Sequence, residues 1–131
     1  MVPNPFPGKF IAYEGMDGCG KSTQCEKSFN FMLAGGERVL RVKEPNKDVL
    51  GGKLIYGLLF ERGPVGFSSM SQLQRQSHYF FNRMQHYTQV VIPALKAGIN
   101  LLSDRSLASI ALDVAEKGDL ETLFAAEEYY F

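Results

Sequence analysis

Neither sign of charge prevails in this chain: 14 Lys and Arg stand against 14 Asp and Glu over 131 residues. A protein that docks on nucleic acid or on an anionic membrane surface carries a basic excess, so neither partner is expected. Long uncharged apolar runs are also missing, and with them any transmembrane helix. The N-terminal MVPNPFPGK has prolines but no apolar signal core, and reads as a loose lead-in rather than a targeting peptide. Cysteine is scarce, with Cys19 and Cys25 alone. A disulfide between them would distort the loop that holds Cys19, and no metal pair is suggested. Reduced thiols in a cytoplasmic protein are the expectation. His78 and His86 have no cysteine or carboxylate set around them, so they read as surface or half-buried residues rather than metal ligands. No internal repeat, low-complexity tract or linker divides residues 1–131, and the length suits one domain with a real core.

What is present centres on Lys9 to Thr23, KFIAYEGMDGCGKST. Phe10 to Tyr13 supply a short apolar strand. Gly15, Met16, Asp17, Gly18, Cys19, Gly20, Lys21 and Ser22 then fit the G-x-x-x-x-G-K-[ST] phosphate-binding pattern, with Thr23 behind them at the start of a helix. Glycines without Cβ let the backbone wrap closely around a phosphate. Successive N–H groups make a concave nest for an anion, and the helix adds the positive end of its dipole. Lys21 is the point charge for the β- and γ-phosphates, and the Ser22 hydroxyl is placed to ligate Mg²⁺.

Taken in order, Lys21 to Ala34 is expected to be a helix with Cys25, Phe29, Met32 and Leu33 on its apolar face, closed by Gly35-Gly36. Arg38 to Lys43 is a second strand, ended by Pro45. Asp48 to Phe60 is a helix striped by Leu50, Leu54, Ile55, Leu58 and Leu59, its start weakened by Gly51-Gly52. After the loop around Gly63-Pro64, Ser68 to Val91 is expected as one long helix capped near Ser69 or Ser71, with a break or kink at Pro93. Ile99 to Ser103 is a third strand. Helices from Ser106 and from Leu120 follow, and Tyr129 to Phe131 has the composition of an incoming strand. This alternation predicts an α/β fold, a parallel sheet with helices on both faces.

Polar residues gather at the predicted strand ends. Asp104 follows an apolar strand directly, where an acidic residue holds Mg²⁺ or its waters in phosphoryl-transfer enzymes of this type. Arg105 beside it suits bidentate binding of a phosphate. Lys43 lies at the end of the second strand, on the edge where open α/β sheets bind ligands. Tyr79 and Arg83 are four apart and share a helix face, an arrangement able to stack on a nucleobase and hydrogen-bond its edge, although an aromatic at this spacing is more often core. Asp17 is unusual among phosphate-binding amides. It either accepts from a sugar hydroxyl of a second substrate or points to solvent.

Together FIAYEGMDGCGKST, KEPN, YFFNRMQH with VVIPALKAG, and LLSDRS resemble the thymidylate kinase family in order and spacing, from about Lys9 to Ser109. The resemblance implies a P-loop NTPase fold and a nucleoside monophosphate kinase. ATP and thymidylate would give ADP and thymidine diphosphate with Mg²⁺. It implies Lys21, Ser22 and Thr23 on ATP phosphates and metal, Asp17 on the acceptor's sugar hydroxyl, Tyr79 on the thymine and Arg83 on its edge. Asp104 falls in the metal and acceptor region, Arg105 on the acceptor phosphate, and Ser109 near the base. It also implies a homodimer through the long helix. The chain departs from the family at Lys43, where arginine is usual, at Asn46, where glycine is usual, and at Ser106 and Asp113, where aromatic residues are usual. Lys43 keeps the charge without the planar fork. Family members continue into a mobile lid and the floor of the adenine pocket. Gly18 stands where some carry a catalytic arginine, and none follows Arg105. The expectation is an incomplete kinase domain, with a kinase for another nucleotide or nucleoside, or a nucleotide-binding module without catalysis, as alternatives.

Overall fold

A computed structural model describes residues 4–60 and 66–106; of Phe60 it describes the backbone alone. The helices expected beyond Ser106, the terminal strand, Ser109 and Asp113 lie outside the described residues. Within them the sheet has three parallel strands, β1 (Phe10–Tyr13), β2 (Val39–Lys43) and β3 (Asn100–Asp104), in the order β1-β3-β2. The register pairs Tyr13 and Lys43 with Asp104, so all three strands finish at one level. That shared finish is what the polar residues are built on.

Strand alternation assigns the two faces. Phe10, Val42 and Leu101 point to one side, where they pack with Val91, Ala94, Leu95, Phe6, Tyr87 and Ile99. The other side carries Arg41, Leu102 and Asp104 and faces helix α1 (Lys21–Ala34), whose Glu26 meets Arg41 at 3.6 Å and whose Ser22 meets Asp104. Helices therefore cover both faces. Leu101 and Leu102 are fully buried on opposite sides, each stabilising by about 1.5–3 kcal/mol. The segment before β1 is not loose over residues 4–9. Gly8 N–H donates to the Leu95 carbonyl at 3.0 Å, and a Cβ on Gly8 would lie 2.3 Å from the Ile99 oxygen. The close approach that this glycine permits holds the lead-in against the sheet.

Two helices stop by the same device. At the end of α1, Gly36 N–H reaches Leu33 and Glu37 N–H reaches Met32. At the end of α4 (Ile92–Lys96), Gly98 N–H reaches Leu95 and Ile99 N–H reaches Ala94. Gly36 and Gly98 have φ of 79° and 71°, the left-handed conformation that this cap requires. Each cap delivers the chain directly into the next strand.

Between β2 and α4 the expectations need correction. Helix α2 spans Leu50–Phe60, but Leu50, Leu54 and Leu59 of its predicted stripe are 57%, 44% and 50% exposed, and only Ile55 of them is fully buried. The packed side is made of glycine instead. A Cβ on Gly51 would stand 2.7 Å from Asn82 Cα, and one on Gly52 1.7 Å from the Asn46 oxygen. Gly51-Gly52 is therefore a contact surface, not a weak start. On α1, Leu33 is likewise 53% exposed while Cys25 is buried.

The single long helix is three segments. A short 3₁₀ turn, Phe67–Ser69, leads to α3 (Gln72–His86), which starts with a capping box. Ser71 accepts from Gln74 N–H, and Gln74 accepts from Ser71 N–H. Tyr87–Val91 then widens into a π turn, with Ile92 N–H reaching back to the Tyr87 carbonyl. Pro93 follows in α4, and the expected break is instead this change of hydrogen-bond spacing beside a residue that has no N–H to donate. Helix α3 buries Asn82, Arg83 and His86, while Leu73, Phe81 and Met84 are exposed. Its fully buried residues are thus all polar.

Candidate active site at the strand ends

The phosphate loop joins β1 to α1. Gly18 and Gly20 have φ of 81° and 89° with nothing within 4 Å of a notional Cβ, so conformation rather than space requires glycine there. Cys19 N–H closes a turn onto the Met16 carbonyl at 3.3 Å, and helix α1 begins directly after Gly20. Cys19 and Thr23 are exposed, and Met16 is 82% exposed. Lys21 curls back over the loop, its Nζ 3.2 Å from both Met16 O and Asp17 Oδ1.

Asp17 is where the loop meets β3. Its carboxylate, 90% exposed, pairs with both Lys21 and Arg105. The hydrogen bond from Lys21, helped by the positive charge of Arg105, holds it below the usual carboxylate range. It is open to solvent and at the same time seated on two cations. Arg105 has a left-handed backbone, φ 78°, at a cost of about 1–2 kcal/mol for a residue with a Cβ. Ser103 Oγ donates to its carbonyl at 2.6 Å, and its own N–H donates to Tyr13 O at 3.0 Å. Those bonds hold the turn that swings Arg105 toward the loop.

Asp104 lies beneath. Its Oδ2 accepts from Ser22 Oγ at 2.6 Å and has Lys43 Nζ at 3.4 Å. Its Oδ1 is buried and without a partner among the described residues. No group of three or more His, Cys, Asp or Glu is gathered for a metal among the described residues. An oxygen donor pair with an unused carboxylate oxygen nevertheless suits a hard cation that takes its remaining ligands from phosphate and water. A cleft of about 880 Å³ runs from here around the open side of β2, lined by Ser22, Arg41, Lys43, Tyr56, Gln89 and Asp104 among others.

Arg83 is held from behind by a buried carboxylate. It is 3% exposed, and its Nε and Nη2 donate to Glu44 Oε2 at 2.9 and 2.7 Å. Burial pushes the Glu44 carboxyl up, against the opposing pull of Arg83. Tyr79, one turn earlier, is half-buried with its ring 5.9 Å from that of Phe67. Sequence reasoning passed over the residues that hold Arg83. Glu44 was visible between a strand end and a proline. Asn46 showed only as a departure from the family's glycine, and His86, expected at the surface or half-buried, is fully buried. Asn46 Nδ2 donates to His86 Nδ1 at 2.9 Å, and burial together with nearby Arg83 lowers that imidazole to about 4. Ser106, where an aromatic residue was expected, donates to Glu14 Oε1 at 2.5 Å and offers its carbonyl to Arg83 Nη2 at 3.4 Å.

Of the sequence-predicted residues, the structure brings Asp17, Lys21, Ser22, Lys43, Asp104 and Arg105 into one connected set. Arg83 forms a second, buried set with Glu44. The chain is similar to known proteins over most of its length. Residues 13–129 match the family model for thymidylate kinase. A thymidylate kinase of Leifsonia xyli subsp. xyli is 37% identical over 134 residues, covering 96% of this chain and 61% of that protein. A probable thymidylate kinase of Pyrococcus horikoshii is 32% identical, covering 93% of this chain and 60% of its own length. A solved thymidylate kinase structure from Ehrlichia chaffeensis superposes with a TM-score of 0.79 at 21% identity, over 95% of this chain and 68% of that one, which shows the P-loop NTPase fold. The chain spans well under two thirds of the length of these curated relatives. With the phosphate loop, the strand-end carboxylate and the family match in agreement, the chain belongs to the thymidylate kinase family.

Proposed function

We propose that this chain serves ATP-dependent phosphorylation of thymidylate to thymidine diphosphate in nucleotide biosynthesis. The observation that carries this reading is the meeting of Lys21, Ser22, Lys43, Asp104 and Arg105 at the common end of three parallel strands. In the reaction an acceptor phosphate oxygen bonds to the γ-phosphorus of ATP as the bond to ADP breaks. Such chemistry needs positioning and charge neutralisation above all. The amides of Gly15 to Thr23 and the Lys21 ammonium hold the donor phosphates. Arg105 and Lys43 hold the acceptor phosphate, with Lys43 released from Asp104 to do so. Asp17 exchanges its cation partners for a sugar hydroxyl. Tyr79 stacks on the base and Arg83 meets its edge. Ser22 and Asp104 would hold Mg²⁺, which when bound neutralises charge on the phosphates.

A second reading, in which the acceptor is a different nucleotide, is favoured by the hydroxyl–carboxylate pair of Ser106 and Glu14 at a position expected to be aromatic. An ATP-coupled assay and equilibrium binding with a panel of nucleoside monophosphates separate the two. Thymidylate preferred over the others upholds the first; thymidylate neither bound better nor turned over removes it. No described helix is long and apolar enough to cross a membrane, and a cytoplasmic enzyme is the proposed setting. The proposed partner is a second copy of the chain, through the long helix, on which Phe81 and Met84 are exposed. Sedimentation of the wild type beside Phe81→Glu tests it: a monomeric wild type removes the dimer.

A further inference from the structure

Helix α3 is docked on the loop after β2 through polar groups: Asn82, Arg83 and His86 are the buried residues of the helix. Asn46 N–H donates to Asn82 Oδ1 at 2.9 Å, Asn82 Nδ2 returns a bond to Asn46 O at 2.7 Å, and Asn46 Nδ2 reaches His86. Two residues earlier, Glu44 N–H donates to Asp104 O at 3.1 Å and extends the sheet ladder past Lys43. Between these fixed points the Glu44 carboxylate holds two nitrogens of Arg83, with the two side chains 5% and 4% exposed. A buried ion pair of this kind stabilises poorly. Apolar residues of like volume commonly do as well or better. A stability role therefore does not account for it, whereas fixing the plane of a donor group does.

We propose that Glu44 is the positioning residue of the base subsite: it fixes the Arg83 guanidinium so that the arginine meets an exocyclic carbonyl of a pyrimidine and rejects an amino group. This rests on the reading above that Arg83 faces the base. Arginine has donors only, so a thymine-type carbonyl suits it and a cytosine-type amino group does not. The rejection is sharp only if the guanidinium cannot rotate or retreat to accommodate the wrong base. Asn46, held by Asn82 and His86, keeps the loop that carries Glu44 from yielding.

The test is equilibrium binding of thymidylate, deoxycytidylate and ATP–Mg²⁺ to the whole chain. Glu44→Asp keeps the charge but withdraws it by one methylene, so it drags or releases Arg83. Glu44→Gln keeps the reach but loses the charge assistance. The expected thymidylate-over-deoxycytidylate preference falls about tenfold in Glu44→Asp and less in Glu44→Gln, with ATP–Mg²⁺ affinity unchanged in both. A merely structural role would lower Tm and weaken both monophosphates together, leaving their ratio intact, and that result overturns the proposal. The double variant Glu44→Leu/Arg83→Leu is expected to fold with Tm near the wild type and no preference. If it fails to fold, the pair is structural and the proposal falls. If it folds and keeps the preference, or if the wild type shows none, the base reading falls and takes the proposal with it. If it loses the preference while Glu44→Asp retains it in full, the proposal alone is overturned.

Discussion

The two ends of the site are built on opposite physics. At the phosphate end Asp17, Lys21 and Arg105 meet near water, with the Asp17 carboxylate 90% exposed. Side chains there are held by charge, can exchange partners, and are screened by salt. At the other end Glu44, Asn82, Arg83 and His86 are all nearly or fully buried and hydrogen-bonded to one another or to Asn46. There each polar group costs desolvation unless its geometry is kept. A site that must receive and release phosphates is served by the first arrangement. One that must distinguish bases is served by the second.

The largest effect expected follows from breaking the buried end on one side only. Arg83→Leu leaves the Glu44 carboxyl buried without its cation and should destabilise the chain by about 3–5 kcal/mol, read as a shifted urea midpoint. Adding Glu44→Leu should restore most of it. If the single variant costs less than the double, the buried pair is not paying a desolvation penalty, and the contrast between the two ends fails.

Next in size is pH. Asn46 Nδ2 is a donor, so His86 Nδ1 must accept, and the ring stays neutral in the fold. Its folded value of about 4 lies below the ordinary 6.5. Between those values the unfolded chain takes up a proton that the folded chain refuses. Stability is therefore full above about pH 6.5 and is lost as pH falls toward 4, by up to about 3 kcal/mol. Glu44, raised by burial, contributes a slope of the opposite sign. The measurement is therefore the difference between wild type and His86→Gln in urea midpoint against pH. A difference that does not change across this window would show that His86 titrates as an exposed imidazole.

Lys21→Ala acts on the other end. ATP–Mg²⁺ affinity should fall about 100-fold through loss of charge-assisted bonds to phosphate, with Tm little changed. Unchanged affinity in an isothermal titration would remove Lys21 from the phosphate site.

This contrast also explains how much was legible. The phosphate loop, strand ends and Asp104-Arg105 could be read because backbone conformation and position along a strand are local properties: glycine at left-handed positions, a carboxylate after an apolar run. The strand β3 itself and the Gly35-Gly36 cap were legible for the same reason. The α2–α3 contact was not. Apolar periodicity assumes that helices bury apolar side chains, whereas here Gly51 brings α2 against Asn82 of α3, Gly52 packs on Asn46, and Asn82, Arg83 and His86 turn to the loop after β2. A buried polar helix face has the sequence pattern of an exposed one, so the α2 stripe expects Leu50 and Leu54 inward while both face outward. Glu44 pairs with Arg83 across 39 positions of chain, and nothing local announces such a partner.

The smallest expected effect is the sharpest test of the exposed end. Asp17 pairs with Lys21 and Arg105, yet an exposed ion pair contributes little to stability. Asp17→Asn should leave the urea midpoint where it is. The consequence should be seen in binding instead. In the free protein Asp17 is an anion already seated on the two cations that the proposed phosphates need. Removing its charge should tighten ATP binding in the absence of acceptor, and the gain should shrink as salt is raised, because salt screens the pair that is being removed. The same substitution should weaken a nucleotide acceptor bearing a 3′-hydroxyl more than its 3′-deoxy analogue, since only the former has a group for the carboxylate to accept from. A fall in stability comparable to that of Arg83→Leu would mean that the phosphate end is held as rigidly as the buried one, and that the two ends do not differ in kind.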